Sequence, residues 1–197
     1  MNKGRIEAFT DGVMAVALTV MVLEMKVPHG ATLEALKPLW PVFLSYILSF
    51  AYIGIYWMNH HHLLQAAPRV TVRVLQANLN LLFWLSLIPF TTGWMGENQF
   101  ARLPVILYGL NLLLAALSYN LLQSCVASAH DELHGFGDVL GRDAKGKGSI
   151  LAYTLGIGAA LAGYPTLGFV VFAGLALVWL RPDRRMERLV GIKRPSE

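Results

Sequence analysis

Cysteine is almost missing from this chain. Cys125 alone cannot close an internal disulfide and offers no CxxC or zinc-ligand spacing; it lies inside an apolar run and reads as a packed thiol. Charge is scarce too: 14% of the 197 residues are charged against 55% hydrophobic, which excludes an ordinary soluble domain and fits a chain crossing a membrane several times. No Gly-rich nucleotide fingerprint follows a strand. The stretch Asp-Ala-Lys-Gly-Lys-Gly from Asp143 lacks the glycine spacing and the Lys-Ser/Thr pair of a phosphate loop. No nucleophile, base and oxyanion donor come together, so the chain does not read as an enzyme and implies no cofactor. No internal repeat is visible. A cleavable signal peptide is not expected, because the apolar run near Phe9 is longer than a signal h-region and carries Asp11.

What is present is a series of apolar runs. A hydrocarbon core of about 30 Å needs roughly 20 mostly apolar residues in a helix. Six candidates meet or approach this, at about 7–27, 39–63, 72–95, 103–127, 149–164 and 166–181. The fold class expected is an all-α integral membrane protein, one six-helix domain over residues 1–197. Pro41 and Pro104 open the second and fourth spans, Pro89 kinks or ends the third, and Pro165 separates the last two as a tight hairpin. One end of the bundle receives Lys3, Arg5, Arg69, Arg73, Arg142, Lys145, Lys147 and the basic residues from Arg181 to Arg194; the other receives only Lys26, Lys37 and Arg102. That asymmetry places both termini in the cytoplasm. The basic tail then reads as a topology and lipid-headgroup signal and not as a nucleic-acid site. Trp40, Trp94 and Tyr164 fall at the outer boundary, where interfacial aromatics belong. Residues 129–148, rich in Gly and charge, read as a cytoplasmic loop.

The first span is the most informative. It carries Arg5, Thr10 and Asp11 at one end and Glu24 at the other, around a middle whose only polar side chain is Thr19. An Asp or Arg at the bilayer centre costs about 2.5–3.5 kcal/mol on insertion scales, so such residues face protein or a water-filled path. Val16, Val20, Leu23 and Val27 share one helical face, continued by Gly12 and bordered by Thr19. By spacing alone the stripe is either a packing seam or the wall of a pore; its polar flanks favour the pore.

The His60-His61-His62 run follows Trp57 and Asn59 at the inner end of the second span. Consecutive histidines point about 100° apart on a helix, unlike the i, i+4 pair of a metal site. His29 lies on the opposite side, and His130 and His134 lie in the loop, so no metal set is completed. His60 or His61 is expected to reach Asp11 or Thr10 and anchor the first helix. Asn78, Asn80, Asn111, Asn120 and Gln123 read as interhelical glue, with Asn78 and Asn80 placed to join the Asp11 network.

The run Arg5-Ile-Glu-Ala-Phe9-Thr10-Asp11 resembles the Arg-x-x-x-Phe-Ser-Asp signature of the lysosomal potassium channel family (transmembrane protein 175) and its bacterial relatives. Val-Leu-Glu-Met-Lys-Val-Pro downstream, and Tyr-Trp-Met-Asn-His-His after the second span, are also similar to prokaryotic members. The detailed match covers roughly the first third of the chain. The resemblance implies a potassium channel without a carbonyl-lined filter, and the chain has no Thr-Val-Gly-Tyr-Gly sequence. It implies a homotetramer in a bacterial inner membrane, with first helices around the pore and apolar rings at Val16, Val20 and Leu23 beside Thr19. Arg5, Phe9, Thr10 and Asp11 would form a structural and gating knot, and Glu24 an outer mouth that excludes anions. Two departures stand out. Thr10 replaces the usual Ser and keeps the hydroxyl; Val16 and Val20 are smaller than the Ile or Leu common at such rings, implying a wider throat. The rivals are a proton-coupled secondary transporter relaying through Asp11 and His60, and a metal or haem enzyme built on His60–His62.

Overall fold

The computed structural model describes residues 3–67, 69–129 and 144–180. His130, His134, the rest of the loop up to residue 143, and the basic tail from Arg181 lie outside the described residues. Among the described residues all regular structure is helical. α1 spans Lys3–Leu23, α2 Leu33–Leu36, α3 Trp40–Ala66, α4 Val72–Ser86, α5 Ile88–Glu97, α6 Arg102–Ser128, α7 Ala144–Leu161 and α8 Pro165–Trp179, with a 3-10 turn at Lys37–Leu39.

The helix boundaries follow local chemistry. Pro41 occupies the first turn of α3, where a missing N–H is harmless. Ala67, extended at φ −62° and ψ 128°, ends α3 before Pro68, as a residue preceding proline must be. The Thr71 hydroxyl caps α4 by accepting from the Val74 N–H at 3.3 Å. At the tip between α7 and α8, Gly163 takes φ 97°, a left-handed conformation a side chain would oppose. Pro165 then starts α8, so the expected hairpin is formed.

Among the described residues four helical stretches are long and apolar enough to cross a bilayer: Lys3–Leu23, Leu33–Ala66, Val72–Glu97 and Arg102–Ser128. The chain is thus a multi-pass membrane protein. Three expectations are corrected. The first span is helical over 3–23 and not 7–27: its polar start stays helical, with the Lys3 ammonium donating to the Gln65 carbonyl at 3.0 Å, and the chain leaves the helix before Pro28. Val27 therefore falls off the stripe. The fifth helix begins at Ala144, so residues 144–148 are helix and not loop. Contacts with α8 hold that Gly-rich turn, since Trp179 Nε1 donates to Ser149 Oγ at 2.7 Å and Lys145 Nζ lies 5.5 Å above the Trp179 ring.

The core runs along α3, α4, α6 and α8 through Tyr52, Ile53, Leu81, Leu85, Leu112 and Phe172, all buried. Phe172 of α8 is clasped by glycines. A Cβ at Gly109 of α6 or at Gly156 of α7 would stand 2.4 Å from its ring, so only glycine lets these helices approach. The Tyr52 hydroxyl donates to the Phe172 carbonyl at 2.7 Å. Ser49 shares hydrogen bonds with Thr92 at 2.6 Å and Tyr108 at 3.0 Å, tying α3, α5 and α6 together. Arg102 donates to the Leu161 carbonyl and joins α6 to α7.

Candidate functional site

α1 divides cleanly into two faces. Ile6, Thr10, Met14, Ala17 and Met21 recur every three or four residues and are buried against α3, α4 and α5. On the other side Phe9 is 56% exposed, Val16 60% and Leu23 82%. Gly12 and Thr19 are exposed with them, and Val20 is half-buried. Among the described residues no helix packs over Val16 and Leu23 on this face. The Thr19 hydroxyl donates back to its own helix, at 3.0 Å to the Val16 carbonyl and 3.2 Å to the Ala15 carbonyl.

The N-terminal half of α1 is held by a buried polar chain. The Asn78 amide nitrogen donates to Thr10 Oγ1 at 3.0 Å, which fixes the amide so that Oδ1 accepts from His60 Nε2 at 2.7 Å. Thr10, Asn78 and His60 are exposed by 0%, 1% and 2%. The expected contact of a histidine with Thr10 or Asp11 is therefore corrected: His60 faces α4, and Asn78 stands between it and Thr10. Asp11 is exposed and accepts instead from Trp57 Nε1 at 2.9 Å. His61 stacks on Trp57 with ring centroids 6.3 Å apart, and it accepts from the Gln65 amide at 2.8 Å. The two histidines point to different partners, as their spacing requires.

Thr10 joins His60 through Asn78, and Asp11 joins His61 through Trp57. Arg5 and Phe9 lie exposed on the outward side of α1 and enter neither chain. Sequence reasoning missed Trp57 as the partner of Asp11. The signal was available: Trp57 precedes His61 by one helical turn, so both project toward the same neighbour. Asn80 does not join the network; it donates to Ser118 Oγ at 2.7 Å. Among the described residues no group of three His, Cys, Asp or Glu side chains could hold a metal ion.

At the C-terminal end Glu24 lies one residue past α1 and is exposed, its backbone N–H still bonded to the Val20 carbonyl at 3.0 Å. A groove of about 610 Å³ runs from Ala8 to Glu24 between α1 and the α4–α5 junction, along Gly12, Val16, Val20, Pro89 and Phe90. Lys26 pairs with Glu97 at 2.8 Å nearby. The arrangement is an apolar corridor on one helix, with a carboxylate at its C-terminal end and an anchored polar cluster at its N-terminal end.

The family profile described as endosomal/lysosomal potassium channel TMEM175 matches residues 5–89. The chain is 45% identical over 188 residues to a potassium channel of Chryseobacterium sp. (strain P1-3), covering 95% of this chain and 97% of that one. It is 31% identical over 116 residues to the human endosomal/lysosomal proton channel TMEM175, covering 53% of this chain and 23% of the human protein. Among solved structures it is similar to the lysosomal potassium-selective channel TMEM175 homolog from Chamaesiphon minutus, with a TM-score of 0.79 and 28% identity over 90% of this chain and 96% of that one. The signature around Arg5 to Asp11, the near full-length likeness and the shared fold agree: the chain belongs to the TMEM175 family, among its prokaryotic members.

Proposed function

We infer that this chain is a potassium channel that passes K+ passively through a central pore, without a carbonyl filter loop. The observation that carries this is the outward face of α1. Val16 and Leu23 stand exposed on a membrane helix whose opposite face is fully packed, with Thr19 beside them and Glu24 at the outer end. The likeness to proteins named potassium channel and to a potassium-selective homolog supports the same reading.

The finer account is one six-helix domain with cytoplasmic termini in a bacterial inner membrane. Four copies surround an axis lined by α1, with Val16, Val20 and Leu23 as stacked apolar rings and Thr19 between them. Four Glu24 carboxylates at the outer mouth raise the local cation concentration and repel anions. An ion crossing the rings sheds part of its hydration, a cost that falls more heavily on the more strongly hydrated Na+. Thr10, Asp11, Trp57, Asn78, His60 and His61 hold the inner end of α1 in register, with Arg5 and Phe9 completing the knot in the tetramer. A proton relay from Asp11 to His60 gains no support, because the two side chains are bonded to different partners.

The lining is tested with Leu23→Cys in a Cys125→Ser background. Oxidation is expected to give disulfide-linked subunits, and Cd2+ to block K+ flux, while Ala17→Cys on the packed face does neither. Crosslinking at Ala17 and not at Leu23 would place the wrong face on the axis.

A further inference from the structure

The third span is interrupted in its middle, and one side chain from another helix bridges the interruption. α4 ends at Ser86 and α5 begins at Ile88. Pro89 has no N–H for the Leu85 carbonyl, and its ring crowds that carbonyl away. In an unbroken helix the Ile88 N–H and the Trp84 carbonyl would pair with each other. Here the Trp84 carbonyl accepts from the Leu87 N–H at 3.3 Å instead, and both groups meet Asn111 of α6. With its amide nitrogen toward Trp84, Asn111 donates to the Trp84 carbonyl at 2.9 Å; its oxygen accepts from the Ile88 N–H at 3.2 Å and from Thr91 Oγ1 at 3.3 Å. The opposite orientation leaves the oxygen facing only acceptors, so the network selects this one. Asn111 is 4% exposed and lies in a helix read as membrane-spanning, where an unpaired backbone group costs several kcal/mol.

The consequence reaches the outer mouth. Beyond the break, Pro89 and Phe90 of α5 wall the groove alongside Val16, Val20 and Glu24. One turn further, a Cβ at Gly93 would stand 3.2 Å from Glu24 Oε2, so no side chain separates the α5 backbone from the carboxylate. The direction in which α5 leaves the break thus sets how closely its backbone passes Glu24. We propose that Asn111 is a positioning residue for conduction: by standing in for the missing helical rung it fixes α5, and through Gly93 it holds Glu24 at the mouth. This rests on the channel reading. Without the amide, the Ile88 N–H recaptures the Trp84 carbonyl, α5 swings toward the α4 axis and the carboxylate is displaced.

The test is single-channel conductance in planar bilayers, over a range of K+ concentrations, for variants first shown to assemble as the wild type does. Asn111→Leu and Asn111→Ser are expected to lower conductance about two- to threefold at low K+ and to match wild type at high salt, where charge at the mouth is screened. Glu24→Gln and Gly93→Ala are expected to do the same, and Asn111→Leu combined with Glu24→Gln to add nothing. Asn111→Asp, buried as the neutral acid, keeps a donor and an acceptor and should conduct like wild type. The serine variant gives the reading if the leucine variant fails to assemble. Wild-type conductance in assembled Asn111 variants alongside a reduced Glu24→Gln would overturn the proposal, as would additive losses or an inert Glu24→Gln. A wild-type protein that conducts nothing would instead overturn the channel reading.

Discussion

Asn78 stands between His60 and Thr10, and its amide bonds to both. Asn78→Leu leaves two buried polar atoms without partners, at about 1–3 kcal/mol each. Thermal unfolding in lipid nanodiscs should show that loss. Trp57→Phe removes the bond to Asp11, but that carboxylate is exposed and water replaces the donor, so the cost should be about 0.5–1.5 kcal/mol. A larger loss for Trp57→Phe than for Asn78→Leu would invert this ranking. At the proposed pore face Val16→Asn replaces an apolar side chain with an amide and should raise conductance while weakening preference for K+ over Na+, read from reversal potentials. Unchanged conductance and selectivity would remove Val16 from the lining. Sequence reading found the stripe because period and polar flanks are local signals. It could not choose Asn78 over Asn80, since two residues apart on a helix they face different neighbours, one toward His60 and the other toward Ser118.

Helix packing around Phe172 depends on glycine at two positions. Gly109→Ala and Gly156→Ala each put a methyl into the ring, and overpacking of this kind costs about 1–3 kcal/mol. Adding Phe172→Leu should recover part of that loss. Gly168→Ala meets the Gly156 carbonyl oxygen at 2.6 Å, a backbone clash that Phe172→Leu cannot relieve. Gly158 has open space around it, and Gly158→Ala should be neutral or stabilising. Melting midpoints of these variants check the pattern; equal losses at Gly158 and Gly156 would contradict it. Prolines made the break at Pro89 and the hairpin at Pro165 legible from sequence, because each removes a hydrogen-bond donor at a fixed place. Helix extents were less legible. Hydropathy reports apolar runs, whereas α1 continues into Lys3 through a bond to Gln65, and α7 continues into a Gly-rich turn through contacts with Trp179. Both extensions depend on partners distant in sequence.

The molecule as a whole presents one packed bundle and one helix with an unpartnered apolar face, a combination that suits assembly around an axis better than a solitary subunit. In the proposed channel the charge asymmetry of the sequence would orient the bundle, and the exposed face of α1 would give ions their path. The fold class was legible because apolar runs of this length have few other uses. The break-spanning role of Asn111 was not, since nothing local marks one intramembrane amide among several. The most direct test of the central claim is ion efflux from proteoliposomes holding the purified protein, with K+ compared against Na+ and against empty vesicles, and valinomycin reporting the trapped total. Passive K+ efflux well above both Na+ efflux and the empty-vesicle leak is the result expected. Folded, assembled protein that releases neither ion, or releases both at equal rates, would contradict a potassium-selective pore lined by α1.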